Sequence, residues 1–286
     1  MQKIKIFLIL LLFSILGQAQ NHRFIYEYSY IMDSLNRENI DKELMILDVT
    51  ASGSKFYSKE KVIYDSLVEA KFKQAEMIKS SNINLSSIKN KSKVEYSVSK
   101  TYPDLKAIFH TKVDGSRYAV NDSKKMDWKI LPDKMDIQGL TTQKAVTNYG
   151  GRKWTAWFTP EIQVQDGPYK FSGLPGLILR LEDDKADHVY QFVGSQKLAV
   201  LPNLTADEDE PEIEISPAQF TKVWKAYLQD PAKKIREMLM RSDTTIKVTD
   251  ASGKELSQAE IIRSREQRAK EKMKKINNFP ELDLYR

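Results

Sequence analysis

Apolar residues recur at every second position along much of this chain, and that period of two commits it to half-buried β-strands. Phe24, Tyr26, Tyr28, Tyr30 and Met32 alternate with mostly smaller or polar residues and read as the first strand. Residues 44–50 and 55–58 read as the next two, joined across Ser52-Gly53. Residues 59–79 turn charged and helix-friendly, with Ile63, Leu67, Met77 and Ile78 on an irregular face, and read as a helix or helical insertion. Strand patterning resumes at Val94, Tyr96 and Val98. Residues 105–113 and 116–120 flank Asp114-Gly115, a dipeptide suited to a type I′ turn because both central residues need positive φ. Residues 141–149 and 152–159 flank Gly150-Gly151 in the same way. Residues 128–131 and 135–138 read as two short strands, and 177–182 and 189–198 as a pair across Asp183-Asp184-Lys185.

The last third is different. Residues 207–210 form an acidic loop. Ser216, Pro217 and Gln219 have the N-cap, N1 and N3 spacing of a helix start. Phe220, Val223, Trp224 and Tyr227 then share one apolar face. A second helix restarts at Asp230-Pro231 with Ile235, Met238 and Leu239 inward, and a short hairpin follows around Ala251-Ser252-Gly253. A basic helix over about 257–277 opens on Ser257 with Glu260 at N3. These elements predict an α+β fold: a curved, mainly antiparallel sheet of about eight to ten strands, shaped as a half-open barrel, with helices packed against it.

Lys3 and Lys5, the apolar run 6–16 and the small residues Gly17 and Ala19 have the order of a cleavable signal peptide, cut near Ala19/Gln20. The run is about half the 20 apolar residues that a membrane-spanning helix needs. Residues 20–286 then read as a single domain, exported to the periplasm or secreted, with no transmembrane span. The sequence has no cysteine, which excludes disulfides, thiol catalysis and thiolate metal sites. The formal charge is +6; the two signal lysines leave +4, and residues 257–277 hold seven basic and three acidic side chains. The basicity is therefore one helix rather than a cationic face, and it reads as solvated, with i,i+4 pairs such as Glu266–Lys270 and Glu271–Lys275. Nucleic acid is not an expected partner.

Residues 150–182 carry the most unusual text, GGRKWTAWFTPEIQVQDGPYKFSGLPGLILRLE. Trp154, Ala156 and Phe158 share one strand face, with Thr155, Trp157 and Thr159 on the other. Pro160 ends the strand, and Gly167-Pro168 and Gly173, Pro175 and Gly176 shape a loop that Leu174, Leu177 and Ile178 anchor in the core. Two readings follow: a structural clasp between sheet edges, or a ligand-binding rim of Trp157, Tyr169, Lys170 and Phe171. The chain here resembles the GLPGLI family of exported bacterial proteins, named for the stretch standing as Gly173-Leu174-Pro175-Gly176-Leu177-Ile178. Arg152, Trp154, residues 156–159, Asp166-Gly167-Pro168 and Phe171 extend the likeness. The family's Gly-Tyr-x-Cys-x-Lys-Ala pattern stands here as residues 139–145, with Leu140 for the tyrosine and Thr142 for the cysteine. Members often accompany TonB-dependent transport systems, which implies an envelope partner.

No catalytic set, cofactor motif or metal site is legible. His22, His110 and His188 share no ligand spacing. Asp183, Asp184, Asp187 and His188 lack the alternation of a calcium loop and read as a solvated turn. There is no G-x-S-x-G elbow, phosphate loop or dinucleotide fingerprint. The expected function is an envelope protein, non-enzymatic, that binds a peptide, a hydrophobic ligand or a partner transporter. A secreted hydrolase whose catalytic set assembles only in space, or a structural interaction protein, are the alternatives.

Overall fold

Phe24, Tyr26, Tyr28 and Tyr30 all bury on one side of β1 (Asn21–Tyr30), and the same alternation builds the rest of the molecule. The computed structural model describes residues 21–79, 83–200, 211–240, 248 and 253–286. The signal segment, the acidic loop at 207–210 and the hairpin residues Ala251 and Ser252 lie outside them.

From β1 the chain runs through β2 (Asp41–Val49), β3 (Gly53–Ser58), β4 (Ser97–Thr101), β5 (Lys106–Val113) and β6 (Ser116–Asp122). Each strand pairs antiparallel with the one before it. The chain then crosses to the far edge and walks back through β7 (Lys129–Ile137), β8 (Leu140–Tyr149), β9 (Arg152–Thr159), β10 (Leu177–Asp183) and β11 (His188–Leu198). β11 closes on β1, so two meanders fuse into one curved sheet ordered β12-β6-β5-β4-β3-β2-β1-β11-β10-β9-β8-β7. The edge strand β12 (Ile213–Ile215) lies parallel to β6. The sheet is open, and its described strands number twelve rather than eight to ten.

Asp114 and Gly115 both take positive φ, as the turn they form requires. Where two short strands are expected over 128–138 there is one, β7, whose register with β8 slips between Ile130 and Lys134. Pro132, which has no N–H to give, sits in that slip on an edge strand.

The helices among the described residues are α1 (Lys59–Met77), α2 (Pro217–Gln229), α3 (Lys233–Leu239), α4 (Gln258–Lys275) and α5 (Leu282–Tyr285). The capping boxes at Ser216/Gln219 and Ser257/Glu260 both form. α2 buries Phe220 and Trp224 and packs on β5 and β6, and α5 packs on α2. On α4, Glu266 reaches Arg236 of α3 at 3.1 Å instead of pairing along its own helix. No helix among the described residues is long and apolar enough to cross a membrane.

Candidate functional site

The loop 160–176 between β9 and β10 turns into the concave side of the sheet and fills it. Phe171, Leu174, Leu177 and Ile178 are buried there. The Phe171 ring lies 4.7 Å from Trp154 and 5.4 Å from Tyr149, centroid to centroid. Gly176 makes the tight return possible: at φ +150 a Cβ would stand 2.0 Å from the Thr159 carbonyl oxygen. Gly176→Ala is therefore expected to cost about 2–3 kcal/mol through strain and overpacking. A denaturant midpoint equal to wild type would show that the return relaxes freely.

Two buried lysines fasten this plug to the opposite meander. Lys100, at an inward position of β4, lies 2.5 Å from Asp166, and both side chains are fully buried. Lys100 also donates to the carbonyls of Gly167 and Tyr169, and Asp166 accepts from Ser54 and Tyr102. Burial pushes the Lys100 ammonium below its usual range, against the charge of Asp166, which holds it up. Lys170 lies 2.6 Å from Glu281 and 3.1 Å from Asp122. Tyr149 donates to the same Asp122, and Tyr169 to Glu281. Burial and the charges of Glu281 and Asp122 drive the Tyr149 hydroxyl far above its ordinary range. Loop, sheet and C-terminal segment are thus joined by charge in the interior.

Three of the four residues expected on a rim are inside: Tyr169, Lys170 and Phe171 are 1%, 2% and 0% exposed. The loop dives into the sheet's curve because Asp122 and Glu281 await Lys170 there, so these residues line no open lip. Trp157 is apart from them, half-buried on the other face of β9 with the Lys144 ammonium 5.7 Å from its ring centroid. Asp122, Lys100 and Glu281 escape sequence reasoning because they lie on remote strands or near the C-terminus. The one available signal is Lys100 itself, sharing the inward parity of Val98 in β4.

The turn 183–188 is solvated only at its tip, where residues 184–186 are exposed. Asp183 and Asp187 are buried; Asp183 holds Arg152 at 2.7 Å, and Asp187 pairs with Arg37. Arg152 also donates to Asn278 and the Phe279 carbonyl, tying the C-terminal segment to β9. His188 is fully buried, its Nδ1 2.7 Å from the Tyr28 hydroxyl. Burial, reinforced by the charge of Arg152, pushes its pKa down to about 3, so the imidazole is neutral.

An open concavity lies elsewhere, along α1. Only Ala75 of this 19-residue helix is buried. Ile63 and Leu67 stay 44% and 51% exposed and, with Ile88, line a groove of about 680 Å³. Lys71, Lys89 and Lys91 also line it, with Glu60 as the acidic side chain among them. Glu43 frames it from below by accepting from Ser58, the N-cap of α1, and from Ser92 and the backbone N–H groups of Lys93 and Val94. One carboxylate so fixes both the start of the helix and the return of the chain.

Residues 68–180 match the model of a family described as protein of unknown function (Porph_ging). No curated protein matches the chain. Among solved structures it is similar to PNGF-II in a C2 crystal form, at 14% identity and a TM-score of 0.47, over 81% of this chain and 35% of that one. The P21 form of PNGF-II gives 14% identity and a TM-score of 0.46 over the same shares. The chain spans about a third of the length of these structures, 35% in each.

Proposed function

We propose that the chain is an exported cell-envelope binding module of the GLPGLI family, and that it takes up a peptide segment in the α1 groove. The signal-like text of residues 1–19 and the GLPGLI run support the destination and the family. One observation carries the binding reading: Ile63 and Leu67 stay exposed in a groove that Lys71, Lys89 and Lys91 also line. Exposed apolar surface bordered by charge marks an interaction site. Lysines beside that surface select a segment with apolar anchors and acidic neighbours. A segment of an envelope partner, such as a TonB-dependent transporter, has the chemistry to supply it. The residues of the GLPGLI plug act as scaffold in this reading, and Trp157 with Lys144 offers a second contact on the outer face.

The test is fluorescence anisotropy with a short labelled peptide of alternating leucine and glutamate. Saturable binding is expected, weakened about tenfold or more by Leu67→Asp, a loss of about 1.4 kcal/mol. A leucine–lysine peptide is expected not to bind. Equal binding by wild type and Leu67→Asp, or no binding of the leucine–glutamate peptide, would overturn the assignment.

A further inference from the structure

On the outer face of the sheet, away from plug and groove, a serine, a histidine and a glutamate stand in line. In β4, Val98 and Lys100 point inward, which turns Ser97 and Ser99 outward. In β5, Ala107 and Phe109 point inward and His110 outward. His110 faces Ser97 in register, so Ser99 is its diagonal neighbour. The Ser99 hydroxyl oxygen is 2.8 Å from His110 Nε2. His110 Nδ1 is 2.8 Å from Glu212 Oε2, on the residue that leads into β12. Glu212 is held in turn by Arg117, whose Nη2 lies 3.0 Å from Oε1.

We propose that Ser99, His110 and Glu212 form an acyl-transfer site that hydrolyses small carboxylic esters, an activity beyond the binding role above. The proton positions follow from the partners. The Glu212 carboxylate only accepts, so Nδ1 carries the hydrogen and Nε2 is left to accept from Ser99. That is the tautomer a general base needs, and the relation among the three groups is what defines a serine triad on any fold. A tie between β12 and the sheet needs only Arg117 and Glu212; the hydroxyl-to-imidazole contact adds a path for a proton. The side chains of His110 and Glu212 keep 24% and 19% of their exposure, so an ester can reach them from solvent. Lys55 stands opposite Ser99 in the register of β3 and β4.

In the first step Ser99 Oγ bonds to the ester carbonyl carbon, its proton passes to Nε2, and the carbonyl π pair moves onto oxygen. Collapse of that oxyanion breaks the bond to the leaving alkoxide, which takes the proton from Nε2 and departs as the alcohol. Water then attacks the acyl-Ser99 ester, giving its proton to Nε2. Release of the carboxylic acid returns that proton to Ser99. Glu212 is a positioning residue throughout.

The experiment uses the mature chain with a fluorophosphonate probe and with p-nitrophenyl acetate. Mass spectrometry is expected to place the phosphonyl adduct on Ser99. Ester hydrolysis should fall about 10²–10⁴-fold in Ser99→Ala and in His110→Gln. Glu212→Gln should lower kcat with KM little changed. Thermal unfolding of each variant separates lost chemistry from lost fold. Failure of folded wild type to label at Ser99, or a folded Ser99→Ala that hydrolyses as fast as wild type, overturns the proposal and leaves the α1 groove untouched.

Discussion

Asp166→Ala is expected to lower the unfolding free energy by about 3–5 kcal/mol, the usual cost of removing one partner from a buried ion pair. Neither Asp166 nor Lys100 touches water, so the substitution leaves an ammonium in the interior with only the Gly167 and Tyr169 carbonyls for company. It also strips Ser54 and Tyr102 of their acceptor. The loss falls on the loop that ties the second meander to β4 of the first. Two further results distinguish this cause from simple loss of packing. Burial already pushes the Lys100 pKa down, and without Asp166 nothing of opposite charge holds it up. The unfolded chain then binds the extra proton over a wider pH range, so the variant should regain stability as pH rises towards the ordinary lysine range. In addition, Lys100→Met combined with Asp166→Asn should be more stable than the two single losses sum to, because no charge remains unpaired. Urea unfolding at several pH values measures all three. An Asp166→Ala variant within about 1 kcal/mol of wild type would mean that the plug does not depend on its charges.

Most strands were legible because they carry their own period, and hairpin turns carry their own chemistry. Gly150-Gly151 and Asp114-Gly115 mark their turns through the positive φ that both residues of each pair adopt. β12 was not legible: three residues have no period, and parallel pairing with β6 depends on a distant return of the chain. Lys170 shows a deeper limit. A lysine between two aromatics in a glycine-rich loop reads as surface unless one knows that the loop enters a curved sheet and meets Asp122 and Glu281. Ser99 and His110 fail for another reason: their contact exists only in one register of the β4–β5 hairpin, and Glu212 arrives more than a hundred positions later. Composition and motif see none of these, since each is a consequence of topology.

Between about pH 6.5 and 3 the chain is expected to lose stability steeply, with His188 the largest single contributor. Its imidazole is fully buried beside Arg152, Asp187 and Tyr28, and its pKa is pushed from 6.5 to about 3. In that window the unfolded chain binds a proton that the folded chain refuses, so folding becomes less favourable by about 1.4 kcal/mol for each pH unit of acidification. Over the whole window this comes to about 4–5 kcal/mol, a large share of a typical domain's stability. Neighbouring carboxylates bear on the slope in opposite senses. For Asp183, burial outweighs its hydrogen bonds and the charge of Arg152, so its carboxyl titrates above the usual range and resists the loss at the acid end. Asp187 is held below that range because Arg37, Asn278 and Arg152 together outweigh burial, and its stabilisation is lost as acid protonates it. His188→Gln keeps a polar group near Tyr28 but cannot take up the proton. Unfolding free energies from pH 7 to 4 should therefore fall less steeply in the variant, by close to one proton's worth of slope. Parallel lines for wild type and variant would show that acid opens the structure elsewhere. The Arg152 beside His188 also holds Asn278 and the Phe279 carbonyl, so this acid-sensitive seam is the one that fastens the C-terminal segment to β9.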